Sequence, residues 1–367
     1  MKILVTGSNG FIGKNLVVKL REQGFTDIVV LDKGSTIADL KNDLVDVDFV
    51  FHLAGVNRPK NEVEFKQGNT DLTQSLVDEL ASLGRQVPIV LTSSIQASSS
   101  NAYGNSKAGA EAVVKSYQEA TGSPGYIFRL PNVFGKWCKP NYNSAVATFC
   151  HNTVRDIPIT INDASAVINL VYIDDVCDAF IALLSGGVPS GYTEISPVYK
   201  KTVGEVAELL KSFKDSRQTL ITEEVGTGFT RALYSTYLSY LSPKNFAYTV
   251  PGYTDERGTF VEMLKTPSAG QISFFTAHPG ITRGGHYHHT KNEKFLVIKG
   301  EARFRFKQIV SGENYELVTD SNKFQIVETV PGWTHDITNI GDDELVVMLW
   351  ANEIFDRNDP DTIASEL

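Results

Sequence analysis

The pattern of apolar residues changes once along this chain, and the change calls for two folds. As far as about residue 215, short apolar runs alternate with helical patterns. Ile3-Leu4-Val5 reads as a strand, Asn15 to Arg21 as an amphipathic helix, and Ile28 to Leu31 and Asp48 to Leu53 as strands. Leu72 to Leu83 then reads as a helix and Ile89 to Leu91 as another buried strand. Strands alternating with helices predict a doubly wound parallel sheet of the Rossmann type. From about residue 246, strand-like segments follow one another instead: Gln271 to Thr276, Phe295 to Lys299, Ala302 to Phe306, Phe324 to Val327 and Leu345 to Leu349. Gly, Pro and Asp turns separate them, which predicts an all-β barrel or sandwich. The junction is expected between Ser242-Pro243 and Pro251-Gly252. Two domains, 1–245 and 246–367, follow, and a length of 367 residues suits that number.

Composition removes several classes of function. A net charge of -9 without a basic run argues against nucleic-acid binding. No apolar run approaches the ~18 residues of a membrane span, and no charged segment followed by an apolar one opens the chain. Cys138, Cys150 and Cys177 are an odd number without metal spacing, as expected of reduced thiols in a cytoplasmic protein.

Gly7-Ser8-Asn9-Gly10-Phe11-Ile12-Gly13 directly follows the first strand and opens a helix. Glycines there permit a tight turn and close approach of backbone to a dinucleotide pyrophosphate, which sits on the helix N-terminus. Asp32 ends the second strand, where a carboxylate binds a ribose 2′-hydroxyl and favours NAD(H). Lys33 beside it suits the 2′-phosphate of NADP(H), so the sequence leaves the coenzyme open. Tyr103 and Lys107 lie four apart on one helix face. A lysine ammonium favours phenolate and so should lower the tyrosine pKa. Such a tyrosine donates a proton to a carbonyl oxygen as hydride arrives, and Ser94, at a strand end, would bond the same oxygen. His52 is expected to be a satisfied strand-end histidine.

With Val50-Phe51-His52-Leu53-Ala54-Gly55, Arg129-Leu130-Pro131-Asn132-Val133-Phe134-Gly135 and Tyr172-Ile173-Asp174-Asp175-Val176, residues 1 to about 245 resemble the extended short-chain dehydrogenase/reductases. That family acts mostly on nucleotide-linked sugars. The resemblance implies that Ala54 lines the coenzyme site and that Asn132 lies near the sugar nucleotide. Only nine residues separate Ser94 from Tyr103, fewer than is usual in the family, which bears on substrate contacts and not on the reductase chemistry.

The barrel half carries its own constellation. Five of the seven histidines lie between His278 and His335. On a strand, His286 and His288 point to the same side, into the barrel. Glu293 and His335 would complete a set of three nitrogens and one oxygen suited to Zn, Fe, Mn or Ni. His289 should point the other way, and His278 is expected on a solvated loop. Gly280, His286, His288, Glu293 and Gly300, with Gly332 to Asn339, resemble the two cupin motifs. Residues 255–262 and Arg283-Gly284-Gly285-His286 also resemble sugar-nucleotide 3-epimerases, cupin-shaped and often metal-free, in which the residue matching His286 is a base. A metal ligand cannot also be that free base, and Lys291, Lys294 and His289 are then the candidates.

Phe134 to Ser144 and His288 to Phe295 extend the resemblance to the bifunctional capsular polysaccharide enzymes that make UDP-2-acetamido-2,6-dideoxy-L-talose. That resemblance implies NADPH, zinc in the cupin and a homodimer. It implies a UDP-linked 4-keto sugar as substrate and Arg129, Lys136 and Lys139 as phosphate contacts. Enolisation next to the ketone inverts C3, and reduction then removes the ketone. Two further readings are a reductase with a structural, dimerising cupin, and a coenzyme-sensing regulator; intact Ser94, Tyr103 and Lys107 argue against the regulator.

Overall fold

A computed structural model describes residues 1–34, 36–255, 258–261, 263–264, 266, 270–353 and 358–367. Packing divides the chain into two compact units that interleave along the sequence. One comprises 1–144 and 168–200, the other 145–167 and 201–367.

In the first unit, β1 (Ile3–Thr6), β2 (Ile28–Leu31), β3 (Phe49–His52), β4 (Ile89–Ser94) and β5 (Gly125–Leu130) form a parallel sheet in the order β2-β1-β3-β4-β5. Helices α1 (Phe11–Glu22), α2 (Leu72–Ser82) and α3 (Ala102–Thr121) connect them. β1, β3 and β4 are buried throughout, which explains why they read as continuous apolar runs rather than alternating ones. The strand order reverses at β1, and in such sheets ligands bind outside the carboxyl ends of the strands at that reversal. A short strand β6 (Asn132–Phe134) pairs with Leu170 to Tyr172.

The second unit is the antiparallel part. Strands β7 (Ala247–Thr249), β8 (Gln271–Ala277), β9 (Thr282–Tyr287), β10 (Glu293–Lys299), β11 (Glu301–Gln308), β12 (Asn314–Asp320), β13 (Gln325–Glu328), β14 (Trp333–Asn339) and β15 (Leu345–Ala351) are completed by β16 (Ile363–Ala364). They form two five-stranded sheets, β7-β13-β10-β15-β8 and β12-β11-β14-β9-β16. Ala302, Phe304 and Phe306 alternate inward along β11, and Phe304 meets Phe295 across the sheets with ring centroids 5.8 Å apart. This is the cupin-like fold expected from the sequence. Val203–Thr219 and Gly228–Leu238 are helices of the same unit because polar side chains tie them to the barrel. Arg217 pairs with Glu328 and donates to the Asn245 carbonyl at 2.7 Å, while Ser235 Oγ donates to the Thr290 carbonyl at 3.2 Å. Among the described residues no helix is long and apolar enough to cross a membrane.

Candidate active sites

The glycine turn of the first unit is dictated by space. Gly7 has φ +71°, and a Cβ there would lie 2.8 Å from the Ala54 nitrogen. At Gly13 a Cβ would meet the Gly7 carbonyl at 2.2 Å. Any side chain would push α1 away from the turn. No side chain caps the N-terminus of α1 at Gly10, so its first amides face outward in the manner that binds phosphate.

A cavity of about 650 Å³ brings Gly7, Gly10, Phe11, Ile12 and Gly13 together with Ser94, Tyr103, Lys107 and Asn132. Ala54 and Asp32 are not among its lining residues. Ala54 instead braces the turn, its amide donating to Thr6 Oγ1 at 3.1 Å. Asp32 accepts hydrogen bonds from Ser8 Oγ and, at 2.8 Å each, from the amide and side-chain nitrogen of Asn9. Its carboxylate shapes the glycine turn directly.

Lys107 is buried at the base of the cavity and donates to the Thr92 carbonyl at 3.0 Å. Burial lowers its pKa to about 8, against the opposing pull of Glu111. Tyr103 departs from expectation. Burial raises its pKa, and only the hydrogen bond with Ser94 works the other way. The expected lowering by Lys107 is not among the influences on Tyr103; the Lys107 ammonium is directed instead at the Thr92 carbonyl. Ser94 Oγ accepts from the Gln96 amide at 3.2 Å, at the start of the turn that joins β4 to α3. His52 is buried between Thr6 Oγ1 at 2.8 Å and Thr73 Oγ1 at 3.0 Å, and burial lowers its pKa to about 3. It is a neutral, satisfied core histidine.

Two of the three expected phosphate cations are otherwise engaged. Arg129 grips Glu111 through Nε at 2.9 Å and a terminal nitrogen at 2.6 Å. Lys136 is buried against Asp174 at 2.7 Å. Lys139 does line the cavity, its ammonium lying 5.6 Å from the ring centroid of Tyr142. Sequence reasoning missed Asn69, which holds Val56 at its amide (3.0 Å) and carbonyl (3.1 Å) and donates to Ser106 Oγ at 3.0 Å. It is buried in the π-helical turn Lys66–Asp71, a placement that the sequence does not signal. The three cysteines form no disulfide with one another, and burial pushes the thiol of Cys138 up to about 11.

In the barrel, the ligand atoms of His286, His288, Glu293 and His335 all lie within 4.8 Å of one another. His286 and His335 are register partners on β9 and β14, and their ring centroids are 4.7 Å apart. Glu293 Oε2 lies 3.2 Å from His288 Nε2 and 3.5 Å from His335 Nε2. Burial would raise the Glu293 pKa, but hydrogen bonds from these two rings hold it well below the carboxylate norm. Burial lowers His286 to about 4, His335 and His288 adding to the effect. Three imidazoles gathered around a buried carboxylate are the donor set a divalent cation requires, so the residues present fit a metal.

Of the alternative bases, Lys294 is unsuited. Burial alone would lower its pKa, yet Glu328 at 3.0 Å and the tyrosines Tyr234 and Tyr248 hold it well above the usual value. Lys291 Nζ lies 3.5 Å from Glu293 Oε1. His289 is buried outside the four-residue cluster, and His278 is exposed. Within the expected epimerase-like segment, Glu256, Arg257 and Glu262 lie outside the described residues.

Comparison with known proteins agrees with both halves. Residues 3–192 match the NAD dependent epimerase/dehydratase family, and residues 253–363 match the polysaccharide biosynthesis C-terminal domain. The chain is 58% identical over 365 residues to UDP-2-acetamido-2,6-beta-L-arabino-hexul-4-ose reductase of Pseudomonas aeruginosa, covering 99% of this chain and 98% of the relative. Capsular polysaccharide assembling protein CapF from Staphylococcus aureus superposes with a TM-score of 0.68 at 40% identity, each chain covered completely. A UDP-N-acetylglucosamine 4-epimerase from Bacillus cereus is similar over 58% of this chain and 82% of its own, with a TM-score of 0.52 at 25% identity. The chain therefore belongs to the NAD dependent epimerase/dehydratase family.

Proposed function

We propose that this chain is a bifunctional nucleotide-sugar enzyme of capsule or O-antigen synthesis, acting in the cytoplasm as a homodimer. Its chemistry is divided between residues 1–245 and 246–367. The barrel inverts C3 of a UDP-2-acetamido-2,6-dideoxy-4-keto-hexose. The reductase module then reduces the C4 ketone with NADPH, giving UDP-2-acetamido-2,6-dideoxy-L-talose. The observation that carries the reductase half is the single cavity shared by the glycine turn, Ser94, Tyr103 and Lys107. The P. aeruginosa relative, matched along almost its whole length, is a reductase of a UDP-linked hexul-4-ose.

A nicotinamide coenzyme held along Gly7, Gly10, Phe11, Ile12 and Gly13 would supply a hydride for sugar C4, the carbonyl π electrons passing onto oxygen. Tyr103 protonates that oxygen, Ser94 orients it, and the products are the alcohol and NADP⁺. The raised Tyr103 pKa keeps the phenol protonated and available for reduction at neutral pH. The buried Lys107 ammonium adds positive potential and holds the coenzyme ribose. Asp32 leaves NADH as a second coenzyme to be tested beside NADPH. Lys139 is the cation best placed for the UDP diphosphate.

In the barrel, His286, His288, Glu293 and His335 would hold a divalent cation, zinc in this reading, which supplies Lewis-acid polarisation of an oxygen when bound. These side chains provide three nitrogen donors and a carboxylate, and as a ligand His286 is withdrawn from service as the C3 base. A reductase with a structural barrel is the second reading, favoured by the relative's name, which holds reduction alone. Incubating the full chain with the 4-keto UDP-sugar and NADPH and assigning the product by NMR separates the two. The talo product supports bifunctionality, and a product reduced at C4 with C3 unchanged supports the second reading.

A further inference from the structure

Asp361 lies between the last barrel strands and is used by no step above. Its carboxylate accepts three consecutive backbone amides, from His289 at 3.0 Å and from Thr290 and Lys291 at 2.7 Å each, and the Thr290 hydroxyl at 3.0 Å. Its own carbonyl accepts from His288 Nδ1 at 2.6 Å. A carbonyl oxygen only accepts, so Nδ1 carries a hydrogen whether or not Nε2 also donates to Glu293, and a metal ion would take the Nε2 position. One residue, distant in sequence, therefore fixes both the turn between two members of the histidine–carboxylate cluster and the tautomer of one of them.

We infer that Asp361 is a positioning residue for the barrel cluster, setting the ring orientation and tautomer of His288 so that Nε2 is presented to a metal ion. The inference rests on the metal-binding reading of that cluster. The carboxylate anchors the 289–291 backbone, and the anchored backbone keeps the Asp361 carbonyl under Nδ1. Partners of this kind are worth about 10- to 100-fold in metal affinity. A carboxylate accepting several amides is also a strong local anchor, since each bond to an ionised acceptor is stronger than a neutral one.

The test uses the full-length protein, apo wild type beside Asp361→Ala and Asp361→Asn, titrated with zinc against a competing chelator. Histidine-selective ¹⁵N NMR of the metal-free chains gives the ring tautomer. Asp361→Ala should weaken zinc about 10- to 100-fold and turn His288 from the Nδ1–H tautomer into a mixture. Asp361→Asn retains one acceptor oxygen and should fall between Ala and wild type, which a global folding defect would not produce. Wild-type affinity and an unchanged tautomer in both variants would overturn the inference. If wild type takes up no zinc, the metal reading and this inference's metal-presenting role fail together. The Asp361-dependent tautomer then decides whether Asp361 still positions His288, and an Nε2–H tautomer in wild type would overturn that too.

Discussion

Two buried lysines, one in each unit, show how this chain separates chemistry from architecture. Lys107 in the reductase and Lys294 in the barrel are both almost fully buried. Lys107 donates to a backbone carbonyl, and burial lowers its pKa to about 8. Lys294 bonds Tyr248 at 2.8 Å and Glu328 at 3.0 Å, and its pKa is held well above the lysine norm. The first is an under-neutralised charge at the wall of a cavity. The second, with Arg217 on the other side of Glu328, is a closed network. Burial alone does not mark a functional charge; weak local compensation beside open space does.

The contrast can be broken by exchanging each lysine for methionine. Lys107→Met should lower kcat/KM for reduction by about 10²- to 10⁴-fold, the range of a lost acid–base component, with the folded chain intact. Lys294→Met should leave turnover per folded molecule near wild type and cost about 3–5 kcal/mol of stability, because it strips one partner from buried Glu328. Chemical denaturation alongside steady-state rates reads both. Equal losses of rate from the two variants would abolish the distinction.

Their pH dependences run in opposite directions. A proton leaves Lys107 near 8 in the folded chain, against a reference of 10.5. Above about pH 8, kcat/KM for reduction should fall, and Lys107→Arg should move that alkaline limb upward. Between about 8 and 10.5 the unfolded chain holds the Lys107 proton more tightly, so the contribution of this group to stability rises with pH. Lys294, raised above its reference, adds stability that is complete below 10.5 and is lost as pH climbs through its higher folded value. Subtracting each lysine variant's stability profile from that of wild type shows the sign.

A smaller effect sharpens the account of substrate binding. Lys139→Ala should raise KM for the UDP-sugar about tenfold, roughly one charge-assisted hydrogen bond, and leave kcat nearly unchanged. Arg129→Ala should show itself instead as a loss of stability, since its guanidinium holds Glu111. A KM effect confined to Arg129→Ala would reverse these assignments.

The central strands were legible because both of their faces are buried and the apolar run is unbroken. The strands Thr282–Tyr287 and Trp333–Asn339 were legible only through the histidine motifs, because the first holds two glycines and the second buries seven residues of mixed polarity. They bring His286 and His335 together as register partners, whereas His288, expected on the same strand by alternation, lies just past its end. The occupation of Arg129 and Lys136 could not be read, because it depends on Glu111 and Asp174, 18 and 38 positions away. Asp361 was missed for the same reason. Tyr103 lines the cavity with the glycine turn, yet the direction of its pKa depends on burial, which local spacing does not carry.

The division of labour between the two units is tested most directly by the full-length Tyr103→Phe variant, given the 4-keto UDP-sugar and NADPH in deuterated buffer. Proton NMR follows C3, and absorbance follows the coenzyme. The account predicts that the C3 proton signal disappears at the wild-type rate while NADPH is no longer consumed. Loss of both activities together, or a C3 proton that persists in the wild-type enzyme as well, would contradict it.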